Sequence, residues 1–307
     1  VMTGFKWGGT NSVEHYLWAP TSRMTIWEEQ HDPGEKFLVN GGYIPAGQEP
    51  IKDVRDALDN LTRHPNTGPF IGRLLIQRFV TSNPSPDYIR RVANAYYDNG
   101  SGEVGDMRGV IRAILLDPEA RSAGGITDDK HGKMREPYIT YVNLARSFDF
   151  SNPEGAHPIY TTNGNDLLGQ NPLDAPSVFN FFLPDYQPPG ELVEAGLYAP
   201  EFEIFNALIA VEWPNTLRRA IRNGIAPARG LLTNRFLKPD FSDELALVGD
   251  TQALIDRLDL IFTYGTLTAE SREVIRSSVE DWALTDEEKV WIAVYLVMTS
   301  PEYVILR

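Results

Sequence analysis

Cysteine is absent from this chain. Disulfides, thiolate nucleophiles and cysteine-ligated metals are therefore excluded. Positive charge is scarce: 28 Lys and Arg stand against 42 Asp and Glu, a formal net charge of −14. Nucleic-acid backbones and anionic lipid surfaces are held by clustered Lys and Arg, so neither is an expected partner. Long hydrophobic runs are missing as well, and no stretch approaches the roughly 20 apolar residues of a membrane span. Neither a Gly-rich phosphate loop, nor an HExxH zinc signature, nor a GxSxG nucleophile elbow occurs.

What is present is enough for a core. The 307 residues are 42% hydrophobic, and aromatic residues are spread throughout, which argues against low-complexity disorder. Residues 1–49 read as irregular and β-rich. Met24-Thr25-Ile26-Trp27 and Lys36-Phe37-Leu38-Val39 flank Asp32-Pro33-Gly34, a turn sequence that predicts a small hairpin. From residue 50 a helical period takes over. Ile51, Val54, Leu58 and Leu61 mark one stripe; Phe70, Ile71, Leu74, Leu75 and Phe79 a second. Tyr88, Val92, Ala95 and Tyr96 mark a third; Met107, Val110, Ile111, Ile114 and Leu115 a fourth. Asn66 or Thr67, Ser85-Pro86 and Asp106 supply helix starts, and Pro118 limits the fourth helix.

A polar, Gly-rich break at 123–133 precedes a further helix over 134–149. Residues 150–200 are rich in Pro, Gly and Asn with aromatics between, the composition of an ordered irregular segment packed on a helical body. Helices return over 201–307, where Leu254, Ile255, Leu258, Ile261 and Phe262 form a stripe. Thr285 and Glu288 have capping-box spacing ahead of a helix apolar on most sides, expected at the centre of a bundle. Ile111–Ala120 and Ala293–Val304 both end a hydrophobic helix on Asp/Ser-Pro-Glu, a shared way of stopping a helix or the echo of a duplicated unit. The expected fold is mainly α: an irregular multi-helix bundle with a small N-terminal β-hairpin and a long ordered Pro/Gly/aromatic-rich segment. Its subregions, 1–49, 50–149, 150–200 and 201–307, are expected to form one integrated domain.

Residues 64–122 are the most specific stretch. His64-Pro65-Asn66-Thr67, Gln77-Arg78-Phe79-Val80-Thr81-Ser82-Asn83-Pro84-Ser85-Pro86, Asn99-Gly100-Ser101-Gly102, Gly105-Asp106 and Arg112–Arg121 together resemble the bacterial family called domain of unknown function 1800. His31–Lys36, Arg135-Glu136-Pro137, Leu168-Gly169-Gln170, Pro176–Phe182, Pro184-Asp185-Tyr186 and Thr299–Glu302 extend the likeness over essentially the whole chain. Leu74 departs from it, standing where such proteins often carry a basic residue. Val1-Met2-Thr3-Gly4-Phe5 resembles a motif from the middle of family members. The chain is therefore expected to be the C-terminal portion of a longer protein. The resemblance implies an exported bacterial protein of the periplasm, cell surface or extracellular space. It also implies a protein partner from the sulfatase-like family of unknown function numbered 1501. It brings no enzymatic activity.

Several clusters are candidate sites, each with a plainer reading beside it. Glu28, Glu29, His31, Asp32 and Lys36 surround the predicted turn, where a His among carboxylates can bind a divalent metal or transfer protons. The plain reading is a polar turn in which Asp32 bonds its own backbone. Arg135 and Glu136 are either a site pair or a buried ion pair. His64–Thr67 is an anion site at a helix start or a capping turn. Asp98 and Asp106, flanking a Gly-rich loop, offer oxygen ligands of the kind calcium takes, without full EF-hand spacing. Phe179, Phe181, Phe182 and Tyr186 make a carbohydrate-binding platform or anchor the irregular segment. No organic cofactor is expected; calcium is the one inorganic candidate. Three functions follow: a structural, assembly or partner-binding protein, with homo-oligomers among its forms; a hydrolase or polysaccharide-modifying enzyme using His31 and Asp32; and a calcium- or glycan-binding module.

Overall fold

A computed structural model describes residues 2–3, 25–122, 128, 130–153, 155, 168–170, 175–178, 180–225, 236–280 and 283–307. The Val1–Phe5 motif, Met24, the 123–133 break and the irregular segment lie wholly or partly outside these residues, as does Phe179. The chain divides into two compact units, one of residues 1–75 and 86–116, the other of 76–85 and 117–307. The protein is mainly helical with small antiparallel strand pairs, as the periodicity predicts. Among the described residues no helix is long and apolar enough to cross a membrane.

In the first unit, β1 (Met2–Thr3) pairs with β2 (Thr25–Ile26), and β3 (Lys36–Phe37) pairs with β4 (Tyr43–Ile44). The hairpin thus differs from the expected one. The strands flanking Asp32-Pro33-Gly34 do not pair with each other. Glu28–Gln30 closes into a 3₁₀ turn, and the tight reversal falls at Asn40 and Gly41, whose φ of 56° and 77° suit Asn and Gly.

Helices α1 (Pro50–Thr62), α2 (Thr67–Phe79), α3 (Pro86–Tyr97) and α4 (Met107–Leu116) match the four apolar stripes. Pro50 and Pro86 open α1 and α3, positions where their missing N–H costs nothing. Tyr88, Val92, Ala93, Tyr96, Val110 and Ile114 are buried where α3 meets α4, and the Tyr88 hydroxyl donates to the Ile114 carbonyl at 2.6 Å. Gly68 lets α2 approach α3, since a Cβ there would stand 2.8 Å from the Tyr97 ring. The stripe on α1 is not its buried face. Leu58 and Leu61 are exposed, and the buried residue is Asp53.

The second unit is built on α5 (Pro137–Ser147), α6 (Ala207–Asn223), α7 (Thr251–Phe262), α8 (Ala269–Glu280) and α9 (Asp286–Thr299). Helix α9 packs against α6, α7 and α8, with Val290, Ala293, Val294, Val297 and Met298 fully buried, so it sits at the centre of this bundle. Its capping box forms as the spacing predicts: Glu288 N–H donates to the Thr285 hydroxyl while Thr285 N–H donates to the Glu288 carboxylate. Strand β5 (Lys133–Met134) pairs antiparallel with β6 (Ile305–Leu306), tying the C-terminal turn to the start of α5. The described part of the 150–200 segment is anchored rather than loose. The Asn83 side chain both donates to and accepts from the Tyr198 backbone, and Gln77 donates to the Pro184 carbonyl at 2.9 Å.

Candidate functional site

In the first unit, the turn around His31 is organised by a residue the sequence did not single out. Asp53, on the first turns of α1, is buried, and its carboxylate takes three donors. Lys36 Nζ stands 2.8 Å away, His31 Nε2 2.9 Å, and Gln48 Nε2 2.9 Å from the second oxygen. The Lys36 hydrogen bond, with those from His31 and Gln48, holds the Asp53 carboxyl below the usual carboxylate range despite burial. Gln48 also bridges to Asp56, which Lys52 pairs at 2.7 Å.

Lys36 is fully engaged. Its ammonium donates to the Asp32 carbonyl at 2.7 Å, the Gly34 carbonyl at 3.0 Å and Asp53. The Asp32 carboxylate accepts the Gly34 N–H at 2.8 Å, the Asx-turn geometry of the plain reading. Glu28 lies exposed in the 3₁₀ turn and accepts the His31 N–H through its carbonyl. Beside this network lies a cavity of about 270 Å3. Apart from His31, Lys36 and Asp53 its lining is aliphatic: Ile26, Leu38, Ile44, Pro50, Val54 and Ala57. Among the described residues no hydroxyl or amide side chain lines it to serve as nucleophile or oxyanion donor.

Asp98 and Asp106 are also engaged locally. Asp98 accepts the Gly102 and Gly100 N–H groups, which hold its carboxyl low. Asp106 accepts from Asn99 Nδ2 and caps α4 through the Arg108 N–H, both at 2.9 Å. Its carboxyl is held low chiefly by Asn99. Among the described residues no three His, Asp or Glu side chains gather as a metal-binding set. His64 accepts the Asn66 N–H at its Nδ1, inside the turn that starts α2.

The second unit holds Arg135 and Glu136, and they do not pair with each other. Adjacent residues on extended backbone point to opposite sides. Arg135 donates from Nε to the Tyr303 carbonyl at 3.1 Å and lies 4.3 Å over the Tyr303 ring. Glu136, buried at the start of α5, is the acceptor for Arg78 and for Gln170 Nε2. Arg78 in turn stacks on Phe182 at 4.6 Å. Phe181 and Phe182 pack partly buried against the core, and Tyr186 is half-buried. Lys133 forms a second buried pair, 2.8 Å from Glu201.

Sequence reasoning missed Asp53, Gln48, Lys133 and Glu201. Asp53 carried one usable signal. It falls on the face of α1 shared by Pro50, Val54 and Ala57, where a charge needs a partner.

No curated protein and no solved structure matches the chain. A family model described as "Protein of unknown function (DUF1800)" matches residues 1–305, so the resemblance centred on residues 64–122 extends over essentially the whole chain. The finer expectation of a C-terminal portion is not part of that finding. The chain belongs to the DUF1800 family of proteins of unknown function.

Proposed function

We propose that this is an exported bacterial protein that binds a protein partner at the cell surface or in the periplasm, and that the turn around His31 braces its binding surface rather than performing catalysis. The observation that carries this reading is the exposed aromatic pair on the β3–β4 hairpin. Phe37 and Tyr43 are cross-strand neighbours with ring centroids 5.5 Å apart, and they are 79% and 53% exposed. Val39, between them in the turn, is exposed as well. Aromatic residues presented on a rigid element are favoured contact anchors. Beneath them, Lys36 has spent all three of its N–H groups and Asp53 has three donors, which leaves little acid–base capacity at the turn. The sulfatase-like family numbered 1501 is the proposed partner class, on the resemblance alone.

The test is an affinity measurement between the purified chain and such a partner from the same genome. Substituting both Phe37→Ser and Tyr43→Ser should weaken binding about 30-fold, the order expected for losing an aromatic anchor. Undiminished binding would contradict the reading, as would substrate hydrolysis abolished by His31→Ala.

A further inference from the structure

The second unit contains a cavity of about 490 Å3 that none of the functions above uses. Its walls come from the α7–α8 connection and the C-terminal turn, and Arg135 contributes the key cation. Arg135 is held at three points. Its backbone N–H donates to the Val304 carbonyl at 2.7 Å, its Nε donates to the Tyr303 carbonyl, and its guanidinium carbon lies 4.3 Å over the Tyr303 ring. Its two Nη groups take no partner among the described residues, and no carboxylate pairs with it there. A planar fork with its stem fixed and its outer N–H groups unspent is pre-organised for bidentate contact with an oxyanion.

Glu302 is the carboxylate of the cavity wall. One oxygen accepts the Thr268 N–H at 3.1 Å, the Thr268 hydroxyl at 2.7 Å and the Ser271 hydroxyl at 2.8 Å, and the other is buried without a hydrogen-bond partner among the described residues. The wall is apolar at Phe262, Ile305 and Leu306 and polar at Thr263, Thr266 and Arg307, the last a second cation beside Arg135. Tyr264 adds a ring 70% exposed, on a backbone with φ of 58° that non-glycine residues seldom adopt.

We infer that this cavity binds a small organic oxyanion, its carboxylate or phosphate held by Arg135 and its apolar body resting on Phe262, Ile305 and Leu306 beside Tyr264. The site is independent of the hairpin surface, so either can fail without the other.

The experiment is an NMR titration of the isotope-labelled chain with phenyl phosphate and with benzoate, at constant ionic strength. Benzyl alcohol is the uncharged control. Saturating shifts in residues 262–268 and 301–307 and in the Arg135 Nε resonance, without response to benzyl alcohol, are the expected result. Agreement between the two anions would identify the oxyanion as the shared determinant; response to one alone would identify which chemistry the site takes. Arg135→Gln should weaken binding about tenfold or more, the loss of a charge-assisted contact. Absence of saturating shifts from both anions, equal response to benzyl alcohol, or unchanged affinity in Arg135→Gln would overturn the inference. Should that variant not fold, the wild-type titration decides alone.

Discussion

Lys133 and Glu201 form an ion pair at 2.8 Å with both side chains almost wholly removed from water. Lys133 also donates to the Arg78 carbonyl at 2.9 Å, so its ammonium ties a helix end, a strand and a 3₁₀ turn together within the second unit. Removing one partner leaves the other charge buried and unpaired. Lys133→Met is expected to destabilise the protein by about 3–5 kcal/mol in urea unfolding. The double variant Lys133→Met/Glu201→Leu should recover most of that loss, because the uncompensated charge is gone. A double variant as unstable as the single one would show that the pair itself, rather than the cost of a lone charge, dominates.

Asp53 gives the first unit an acid-sensitive fastening. Its folded carboxyl lies below its unfolded value of 3.8, held there by Lys36, His31 and Gln48. A depressed carboxyl contributes stability that is present above the unfolded value and is lost as pH falls below about 4. Asp53→Asn should therefore lower the melting temperature near pH 7 and flatten the acid side of the stability profile. Thermal unfolding from about pH 2 to 7 reads both effects, and a variant profile parallel to wild type would refute the assignment.

Glu302 makes a parallel case in the second unit. Burial pushes its carboxyl up, but the Thr268 hydroxyl, its own backbone N–H, Ser271 and the Thr268 N–H outweigh this and hold it at about 2. Its contribution is present above the unfolded value of 4.5 and fades as pH falls from there through about 2. Glu302→Gln should cost on the order of 1 kcal/mol at neutral pH, allowing for solvent screening, and progressively less toward pH 2. A pH-independent cost would mean that packing, and not charge, is what the side chain supplies.

Helix α9 can be tested at its cap. Thr285→Ala removes the hydroxyl that receives the Glu288 N–H, and is expected to cost about 0.5–2 kcal/mol in chemical denaturation. A change well below that would show that burial of Val290, Val294 and Val297 fixes the start of the helix without help from the cap.

These residues also show how far local sequence reaches. The Thr285 box, the Asp106 cap and the two Pro-initiated turns after Asp117 and Ser300 were legible because each is closed within a few residues. Asp117 accepts the Glu119 N–H and Ser300 the Tyr303 N–H, so the Asp/Ser-Pro-Glu echo is one device used twice to stop a helix. The candidate sites depend on distant partners. His31 and Asp53 are separated by 22 residues, Arg78 and Glu136 by 58, and no local period links them. The strand pairing slipped for a similar reason: Asp32 closes its own turn, which frees Lys36–Phe37 to pair forward with Tyr43–Ile44.

Whether the β3–β4 hairpin, braced by Asp53, is the surface presented to a partner is read by amide hydrogen exchange of the chain, free and bound to a sulfatase-like partner of the 1501 family. Slowed exchange is expected on binding across residues 36–44 and the adjoining first turns of α1. Exchange that is unchanged there in a formed complex, or slowed only in the helices of the second unit, would contradict that role.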